Sequence, residues 1–416
     1  MIRTLYSLVA IGTQPFLRRK LRRRGVAEPG YLVAVEERFG RYGGKAEPGA
    51  IWIHAVSLGE TRAAGILVER LRSTKPGVRI LLTHGTATGR AEGEKLIREG
   101  DVQAWLPWDT PGAVRRFLNH FQPSVGILVE TEVWPNLVAE CKERGVPLVL
   151  ANARLSEQSL GKTQRLAWLS RPAYAALSAV YAQTEGDAQR LAQAGATVKG
   201  VFGNLKFDAT PDISQREQGA SWRAGSQAPV VMFASSREGE EAQFFRAVRA
   251  EKGLPPIRWL VVPRHPQRFD EVASLAAQHG FSVSRRSQWA GPPAPADVWI
   301  GDSVGEMALY YGLSDVALLG GSFEPLGGQN LIEAAACGCP VVMGPHTFNF
   351  DEAARLAEES GAALRVGTMQ EAVDAARALA ADAARHEAAV KAASSFALAH
   401  QGAARKTAEA VLALAG

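Results

Sequence analysis

The fold of this chain is constrained most by an alternation of short apolar runs with helical patterns, which occurs in two successive rounds along 416 residues. Short strands that alternate with helices of ten or more residues are typical of a parallel sheet with helices on both faces. A chain of this length also exceeds the size at which one hydrophobic core usually stops growing. The sequence therefore predicts an α/β protein with two doubly wound domains.

The two rounds set the predicted domain boundaries. The first round supplies six predicted strands, at residues 51–56, 78–83, 102–105, 125–129, 146–150 and 179–182. The second round supplies five, at residues 230–234, 259–262, 298–300, 316–319 and 341–343. Residues 209–228 lie between the rounds and are rich in turn-forming residues. We therefore predict a first domain at residues 25–208, a linker at 209–228, and a second domain at 229–416 that ends in an alanine-rich helical tail.

The first 24 residues form a separate segment. An uncharged, largely apolar stretch runs from Thr4 to Leu17, and a basic cluster follows at residues 18–24. The stretch is too short to span a bilayer, which takes about 20 residues. The basic cluster follows the apolar stretch, which argues against a secretory signal. We expect residues 1–24 to lie on an anionic membrane surface. The alternative is a basic helix packed on its own domain.

Charge and cysteine content narrow the class of protein. The formal net charge is only +5, much of it in the basic cluster, so the sequence predicts no nucleic-acid partner. The three cysteines, Cys141, Cys337 and Cys339, fit a reducing compartment, and the last two lack zinc-ligand spacing. The chain has no GxGxxG, P-loop, DxD or His/Cys metal motif. It therefore predicts a protein with no cofactor and no required metal ion.

Glu60 is the most prominent candidate for chemistry in the first round. It follows the predicted strand at 51–56 and the turn Ser57-Leu58-Gly59, where a helix begins. Ligands of open parallel sheets bind beyond the carboxyl ends of the strands. Glu60 is therefore predicted to lie where a reaction would occur. The alternative is an acidic residue that only stabilises the first turn of its helix.

Candidate anion-binding residues follow the strands of the second round. Arg264 lies in a Pro-Arg-His-Pro turn and offers a planar cation for an anionic group, although an ion pair with a neighbouring carboxylate is an alternative. Small residues at 301–306 leave backbone N–H groups free for phosphate. Paired glycines at 320–321 and 327–328 let a ligand approach the backbone. Asn330 and Glu333 begin a helix, where Glu333 either accepts ribose hydroxyls or belongs to a capping arrangement.

Seven segments together resemble one family in the same order. They are residues 37–40 (Glu-Arg-Phe-Gly), 54–60 (His-Ala-Val-Ser-Leu-Gly-Glu), 130–136 (Glu-Thr-Glu-Val-Trp-Pro-Asn), 203–208 (Gly-Asn-Leu-Lys-Phe-Asp), 263–266, 301–306, and 320–322 with 327–330. The chain resembles the 3-deoxy-D-manno-octulosonic acid (Kdo) transferases of lipopolysaccharide synthesis over essentially its whole length. The segments at 57–60 and 130–136 are the most specific.

The resemblance implies a fold, a reaction and a location. The fold would be GT-B, two Rossmann-like domains that face each other across a cleft. The second domain would bind CMP-Kdo, and the first would bind a lipid A precursor (lipid IVA). The enzyme would be an inverting, metal-independent glycosyltransferase. It would act at the cytoplasmic face of the bacterial inner membrane, as a peripheral or N-terminally anchored protein.

The resemblance also assigns roles to individual residues. Glu60 matches the general base, and Glu130 and Lys206 match positions that support the transition state. The matches to CMP contacts are Pro263, Arg264, Val304, Gly305, Glu306, Asn330, Leu331, Ile332 and Glu333. The helix N-terminus is expected to keep Glu60 ionised near neutral pH, which would also weaken it as a base.

Two positions depart from the family pattern. Gln329 and Arg237 each stand where the pattern usually has histidine. These changes bear on donor affinity and on its pH dependence. Two alternatives remain at this level: another GT-B enzyme that acts on a nucleoside-diphosphate sugar, as a transferase or an epimerase, and a non-catalytic lipid-binding relative.

Overall fold

The computed structural model describes residues 2–250 and 256–416, which form two compact units. The first unit contains the chain up to residue 208 together with residues 401–416, and the second contains residues 209–400. Each unit is built on one seven-stranded sheet, and the pairings within both sheets are parallel. The predicted α/β class with two doubly wound sheets is confirmed.

The first unit begins with two helices that precede the sheet. Its strands are β1 (Ile51–His54), β2 (Ile80–His84), β3 (Val102–Trp105), β4 (Val125–Val129), β5 (Leu148–Ala153), β6 (Ala179–Ala182) and β7 (Val198–Val201). Its first nine helices are α1 (Ile2–Gly12), α2 (Gln14–Ala27), α3 (Leu58–Thr74), α4 (Ala87–Glu94), α5 (Pro111–Phe121), α6 (Pro135–Glu143), α7 (Glu157–Arg165), α8 (Ala167–Ala175) and α9 (Glu185–Gln193).

The second unit repeats the architecture. Its strands are β8 (Val230–Ser236), β9 (Arg258–Pro263), β10 (Val283–Arg285), β11 (Val298–Ile300), β12 (Val316–Leu319), β13 (Val341–Met343) and β14 (Ala363–Arg365). Its helices are α10 (Ile213–Ala224), α11 (Glu240–Ala250), α12 (Phe269–Gln278), α13 (Met307–Gly312), α14 (Leu331–Ala336), α15 (Asp351–Glu359), α16 (Met369–Ala381) and α17 (Ala383–Ala399). The chain then returns to the first unit as α18 (Ala403–Ala415).

Strand order places the candidate residues of the first unit. The first sheet runs β3-β2-β1-β4-β5-β6-β7, and the direction in which the chain adds strands reverses between β1 and β4. Such a switch point opens a crevice at the carboxyl ends of the two strands. The second sheet, β10-β11-β9-β8-β12-β13-β14, reverses between β8 and β12.

Both faces of the first sheet are buried, which explains its apolar strands. Trp52 and Leu128 belong to one hydrophobic cluster, while Ile53 and Ile127 belong to another. Successive side chains of a strand point to opposite faces, so an unbroken apolar run is needed to fill both cores. This requirement is why the central strands could be predicted from the sequence.

Three strands of the structure, β7, β10 and β14, were not predicted. Each lies at an edge of its sheet and is buried at no more than one residue, so its sequence lacks a continuous apolar run. The predicted linker also contains a helix, α10, that packs against α13. A Cβ atom on Gly219 would lie 2.1 Å from the carbonyl oxygen of Leu309, so this close approach requires glycine.

The last helix belongs to the first unit, whereas the sequence placed residues up to 416 in the second domain. Four of its residues, Ala403, Ala404, Ala408 and Val411, are buried in the core that the first unit builds around α3. The carboxylate of Asp208 accepts hydrogen bonds from the backbone N–H groups of Gly402 (2.5 Å) and Ala404 (2.7 Å). These bonds cap the start of α18.

The N-terminal helices combine a packed side with an exposed apolar side. On the packed side, Tyr6 donates a hydrogen bond to Asp109 (2.9 Å) and Ser7 donates one to Asn136 (2.9 Å). On the other side, Leu5, Leu8 and Val9 are exposed. Across residues 2–250 and 256–416, no helix has both the length and the apolar character needed to cross a bilayer.

Candidate active site

Glu60 lies in the first turn of α3 and completes the cap of that helix. The backbone N–H of Glu60 donates to Ser57 Oγ (3.3 Å), and the Ser57 hydroxyl donates to Glu60 Oε1 (2.9 Å). The backbone N–H of Val56 donates to Glu60 Oε2 (2.9 Å). The structure therefore contains the capping hydrogen bonds that the sequence offered as the alternative role of Glu60. They also fix the carboxylate at the end of β1.

The surroundings of Glu60 raise the pKa of its carboxyl above the ordinary value. Burial is the largest cause, and the negative charges of Glu130 and Glu132 act in the same direction. The hydrogen bonds from Val56 and Ser57 oppose this rise but do not cancel it. The hydrogen bonds at the start of the helix thus lower the pKa of Glu60, in the direction expected from the sequence, but burial reverses the net direction. A carboxylate with a raised pKa accepts a proton more readily near neutral pH.

Glu130 follows β4, the strand next to β1, and its backbone is strained. Its φ is +65°, which is uncommon for a residue with a side chain. Its N–H donates to the carbonyl of Ala151 (3.0 Å), and the N–H of Arg154 donates to the carbonyl of Glu130 (3.3 Å). The buried carboxylate accepts a hydrogen bond from Nε of Arg154 (2.8 Å). Its orientation is thus fixed from both backbone and side chain.

Lys206 lies in a short 3-10 turn, Leu205–Asp208, after β7. Its backbone N–H donates to Asn204 Oδ1 (3.0 Å), and the N–H of Leu205 donates to Asn152 Oδ1 (2.9 Å). Asn152 belongs to β5, so the turn folds back from the sheet edge toward the middle of the sheet. Glu60, Glu130 and Lys206 therefore all lie beyond the carboxyl ends of strands of the first sheet.

In the second unit, Arg264 follows Pro263, the last residue of β9. Its N–H donates to the carbonyl of Ser236 (3.0 Å), and its Nε donates to Gln329 Oε1 (3.2 Å). Arg264, a predicted contact to CMP, is thus hydrogen-bonded to Gln329, one of the two residues that depart from the family pattern. The other, Arg237, donates from Nε to the carboxylate of its neighbour Glu238 (3.0 Å).

The loop after β11 holds the next group of predicted contacts. Glu306 accepts hydrogen bonds from Arg286 (2.7 Å) and from the hydroxyl of Ser303. Gly305 has a φ of +86°, and its carbonyl accepts from Gln215 Nε2 (3.1 Å), so α10 supports this loop. Val304 is 76% exposed and presents its side chain to solvent.

The start of α14 has the predicted cap. Asn330 is the N-cap residue, and its Oδ1 accepts from the N–H of Ile332 (3.2 Å). Leu331 and Ile332 are buried in the core. Their side chains therefore cannot contact a nucleotide, and only their backbone groups remain candidates for that role.

The buried carboxylate of Glu240 in the second unit was not predicted from the sequence. The buried carboxylate of Glu240 accepts hydrogen bonds from the N–H groups of Arg237 (3.0 Å), Gly321 (2.8 Å) and Phe323 (3.0 Å). The N–H of Gly321, which the sequence suggested for a ligand, is therefore bound to Glu240. Its position could have indicated this, because Glu240 lies at the start of the helix that follows β8, as Glu60 lies at the start of the helix that follows β1.

The residues that hold the Lys206 turn were also missed. Asn152, Gln183 and Asn204 are uncharged, and nothing in their spacing indicates that they meet.

Among the described residues, no group of three or more His, Cys, Asp or Glu side chains is arranged to hold a metal ion.

Comparison with known proteins identifies relatives over the full length. A family model described as 3-deoxy-D-manno-octulosonic-acid transferase (kdotransferase) matches residues 34–209. A 3-deoxy-D-manno-octulosonic acid transferase of Bordetella pertussis is 47% identical over 425 residues and covers 99% of each chain. The protein of that name from Haemophilus influenzae is 34% identical over 383 residues and covers 90% of each.

Solved structures show the fold. A glycosyltransferase from Rickettsia africae has a TM-score of 0.57 and 14% identity, and the match covers 88% of this chain and 99% of that one. The UDP-GlcNAc 2-epimerase of Neisseria meningitidis has the same TM-score and identity, with 88% and 100% covered. At this level of identity the likeness shows the fold alone, and it confirms the GT-B fold expected from the sequence.

Proposed function

We propose that this chain, which belongs to the 3-deoxy-D-manno-octulosonic acid transferase family of lipopolysaccharide synthesis, transfers Kdo from CMP-Kdo to lipid IVA with Glu60 as the general base and without a metal ion. Glu60 takes the proton of the attacking sugar hydroxyl as its oxygen bonds to the anomeric carbon of Kdo. The bond from that carbon to the phosphate oxygen breaks, and CMP leaves. The anomeric configuration inverts.

The observation that carries this proposal is the environment of Glu60. Its carboxylate is oriented by two hydrogen bonds at the switch point of the first sheet, and its pKa is raised. General-base assistance contributes about a hundred- to ten-thousandfold in rate when the base has a pKa near the working pH. The capping bonds do not prevent this role, because a carboxylate oxygen has two lone pairs and retains one for the substrate.

Glu130 and Lys206 have supporting roles in the proposal. The Glu130 charge raises the pKa of Glu60. Lys206 supplies a positive charge for the donor carboxylate or the departing phosphate, which stabilises charge that grows in the transition state. In the second unit, Arg264 with Gln329, the loop 304–306 and the start of α14 at 330–333 bind CMP.

The proposal also includes a membrane surface. Residues 2–27 contain seven Arg or Lys and no acidic residue, and α1 exposes apolar side chains. Helix α1 packs against α8, and Leu166 immediately before α8 and Trp168 within it are about half exposed. Residues 162–171 add three cations and no acid. Apolar and basic groups together fit an anionic lipid surface, with Trp at the interface. We propose peripheral association with the cytoplasmic face of the inner membrane.

The test of the reaction uses full-length protein, CMP-Kdo and lipid IVA, with mass analysis of the lipid product. Wild type should form Kdo-modified lipid and CMP, and Glu60→Gln should lower kcat by about a hundredfold or more. Glu185→Gln is the matched control, because Glu185 is also a first-turn acid, in α9. Near wild-type turnover by Glu60→Gln would show that another group is the base.

The alternatives make different predictions in the same assay. A transferase or epimerase that uses a nucleoside-diphosphate sugar would be stabilised by UDP more than by CMP in thermal unfolding. A lipid-binding relative would bind lipid IVA without CMP release. Metal independence predicts equal kcat with and without EDTA, and loss of activity in EDTA that Mg²⁺ restores would contradict it.

A further inference from the structure

The Lys206 turn starts far from the two candidate carboxylates. It follows β7, an edge strand that lies three places from β4 and four from β1. Neighbouring strands are about 4.8 Å apart, so the end of β7 is about 14 Å from the strand of Glu130 and about 19 Å from that of Glu60. The turn must be held back over the sheet if Lys206 is to act with either carboxylate.

A closed ring of hydrogen bonds holds the turn in that position. Asn152 Oδ1 accepts from the N–H of Leu205 (2.9 Å), and the carbonyl of Asn152 accepts from Gln183 Nε2 (2.9 Å). Gln183 Oε1 accepts from Asn204 Nδ2 (3.2 Å), and Asn204 Oδ1 accepts from the N–H of Lys206 (3.0 Å). Three carboxamides thus join the ends of β5 and β6 to the turn after β7.

The same part of β5 also holds Glu130. The pairing of β5 with β6 shifts register between Leu150 and Ala153, and Asn152 in this irregularity has a φ of +51°. Such bulges re-aim a side chain and are frequent beside active sites. The contacts to Glu130 already described come from the Ala151 carbonyl, one residue before Asn152, and from the Arg154 N–H, two residues after it. One short segment therefore fixes both Glu130 and the Lys206 turn.

Asparagine meets three requirements at position 152 that other residues do not meet together. It tolerates the left-handed backbone, its oxygen accepts the Leu205 N–H, and it is neutral. Glycine would lack the acceptor, and aspartate would bury a second negative charge near Glu130. Asn152 is 2% exposed, and its Nδ2 has no hydrogen-bond partner. A buried unpaired donor is unfavourable, so stability alone does not account for this side chain.

We propose that Asn152, Gln183 and Asn204 are positioning residues for the transfer reaction, and that their hydrogen-bonded ring sets the location of Lys206 relative to Glu130. The inference rests on the proposed function, because it takes Lys206 as the group that acts on the substrate. None of the three side chains needs to touch substrate. Their effect on the rate passes through the backbone of the Lys206 turn.

The test compares kcat and KM in full-length variants. Asn152→Gly keeps the left-handed backbone and removes the acceptor, so kcat should fall about tenfold or more, as expected when a catalytic group is displaced. KM for CMP-Kdo should stay within about twofold, because the ring belongs to the first unit, whereas the candidate CMP contacts belong to the second. Gln122→Gly is the matched control: it is a carboxamide residue of the same unit with a φ of +41°, and its kcat should not change.

A conservative variant separates positioning from folding. Asn204→Asp keeps the acceptor for the Lys206 N–H and loses only the donor to Gln183 Oε1, whereas Asn204→Ala removes both. The aspartate variant should therefore retain clearly more kcat than the alanine variant, whatever the two Tm values are. Asn204 is only partly buried, so this pair remains informative if Asn152→Gly does not fold. Equal kcat for Asn204→Ala and wild type would overturn the inference.

Lys206→Met distinguishes failure of the inference from failure of the proposed function. If Lys206→Met keeps wild-type kcat, Lys206 does not have the proposed catalytic role, and the inference about the ring is rejected as well. If Lys206→Met loses activity while Asn152→Gly and Asn204→Ala keep it, the ring is not a positioning device and the proposed function stands. In the double variant Asn152→Gly/Lys206→Met, kcat should be no lower than in Lys206→Met alone. Multiplied losses would indicate a structural role and overturn the inference.

Discussion

At the scale of single residues, the main result is that one carboxylate both caps a helix and has a raised pKa. A first-turn acid usually has its charge stabilised by the helix N-terminus. At Glu60, burial and the charges of Glu130 and Glu132 outweigh that stabilisation. These opposing effects leave a group that is held in one orientation and still has an increased affinity for a proton.

We predict that Glu132→Gln shifts the pH dependence of the reaction. Glu60 must be ionised to act as a base, so activity should rise as pH rises through its raised pKa. Removing the Glu132 charge removes one cause of the rise and should move the acidic limb of the kcat/KM profile to lower pH. The profile of the wild type measured in parallel provides the comparison, and Glu185→Gln, which removes an exposed first-turn acid of α9, provides the charge control. An unchanged acidic limb would show that Glu132 does not influence the base.

The location of Glu60 could be predicted from the sequence, but its proton affinity could not. An apolar run, a Ser-Leu-Gly turn and a helical pattern are local signals that place a residue at the end of a strand. The pKa of Glu60 depends on Glu130 and Glu132, which follow β4 in the chain, and on burial by other elements. For the same reason the ring around Asn152 could not be predicted, because its three carboxamides come from positions 31 and 21 residues apart along the chain.

At the scale of elements, the buried strands of the first sheet carry ionisable side chains that matter for stability. His54 on β1 lies against the carbonyl (3.1 Å) and hydroxyl (3.0 Å) of Thr83, and His84 on β2 lies against the carbonyl of Ala55 (3.1 Å). Burial lowers the pKa of His54 to about 3 and that of His84 to about 4. Both rings are therefore neutral in the folded protein near pH 7.

We predict that the protein loses stability in mild acid because of these two rings. In the unfolded chain each histidine binds a proton below about pH 6.5, whereas in the folded state it does not. The stability is present above pH 6.5 and is lost as pH falls toward the folded pKa values. Each histidine should cost about 2 kcal/mol at pH 5 relative to pH 7.5. Urea unfolding at the two pH values, with wild type and His54→Gln/His84→Gln, measures this; an equal pH dependence in both proteins would contradict it.

A second prediction at this scale concerns the cap of α18. Asp208→Ala removes both hydrogen bonds to the start of the helix, and loss of such a cap costs about 1–2 kcal/mol. Limited proteolysis should then cleave residues 401–416 faster than in wild type. Asp382→Ala removes the cap of α17 in the second unit and serves as the control, because it should leave cleavage of 401–416 unchanged.

At the scale of the whole molecule, the sequence predicted two domains but not the path of the chain between them. Alternating strands and helices identify both sheets, since each central strand is an unbroken apolar run. The alanine-rich pattern of α18 predicts a helix but does not specify which core it joins. That choice depends on the fit of small side chains against α3 and on the Asp208 carboxylate, 194 residues away along the chain.

The membrane surface is the prediction that belongs to this scale. Leu5→Ser/Val9→Ser changes exposed residues of α1, and Leu166→Ser/Trp168→Ser changes exposed residues at the start of α8. Each double variant should weaken sedimentation with anionic vesicles. Leu398→Ser, at a residue 68% exposed in the second unit, is the control and should bind as wild type does. Binding to neutral vesicles should be weaker for every variant, because the cations of α2 lose their partner. Wild-type sedimentation of both double variants would show that the protein reaches lipid IVA by another surface.

The return of α18 to the first unit has a consequence for synthesis of the protein. The second unit, residues 209–400, is an insertion between the two parts of the first. At about 5–20 residues per second, the ribosome takes about 10–40 s to add it. Throughout that interval the nascent first unit lacks the helix that covers apolar surface on α3, β4 and β5. The unit whose synthesis begins first is therefore completed only after the whole second unit and residues 401–416 have been added.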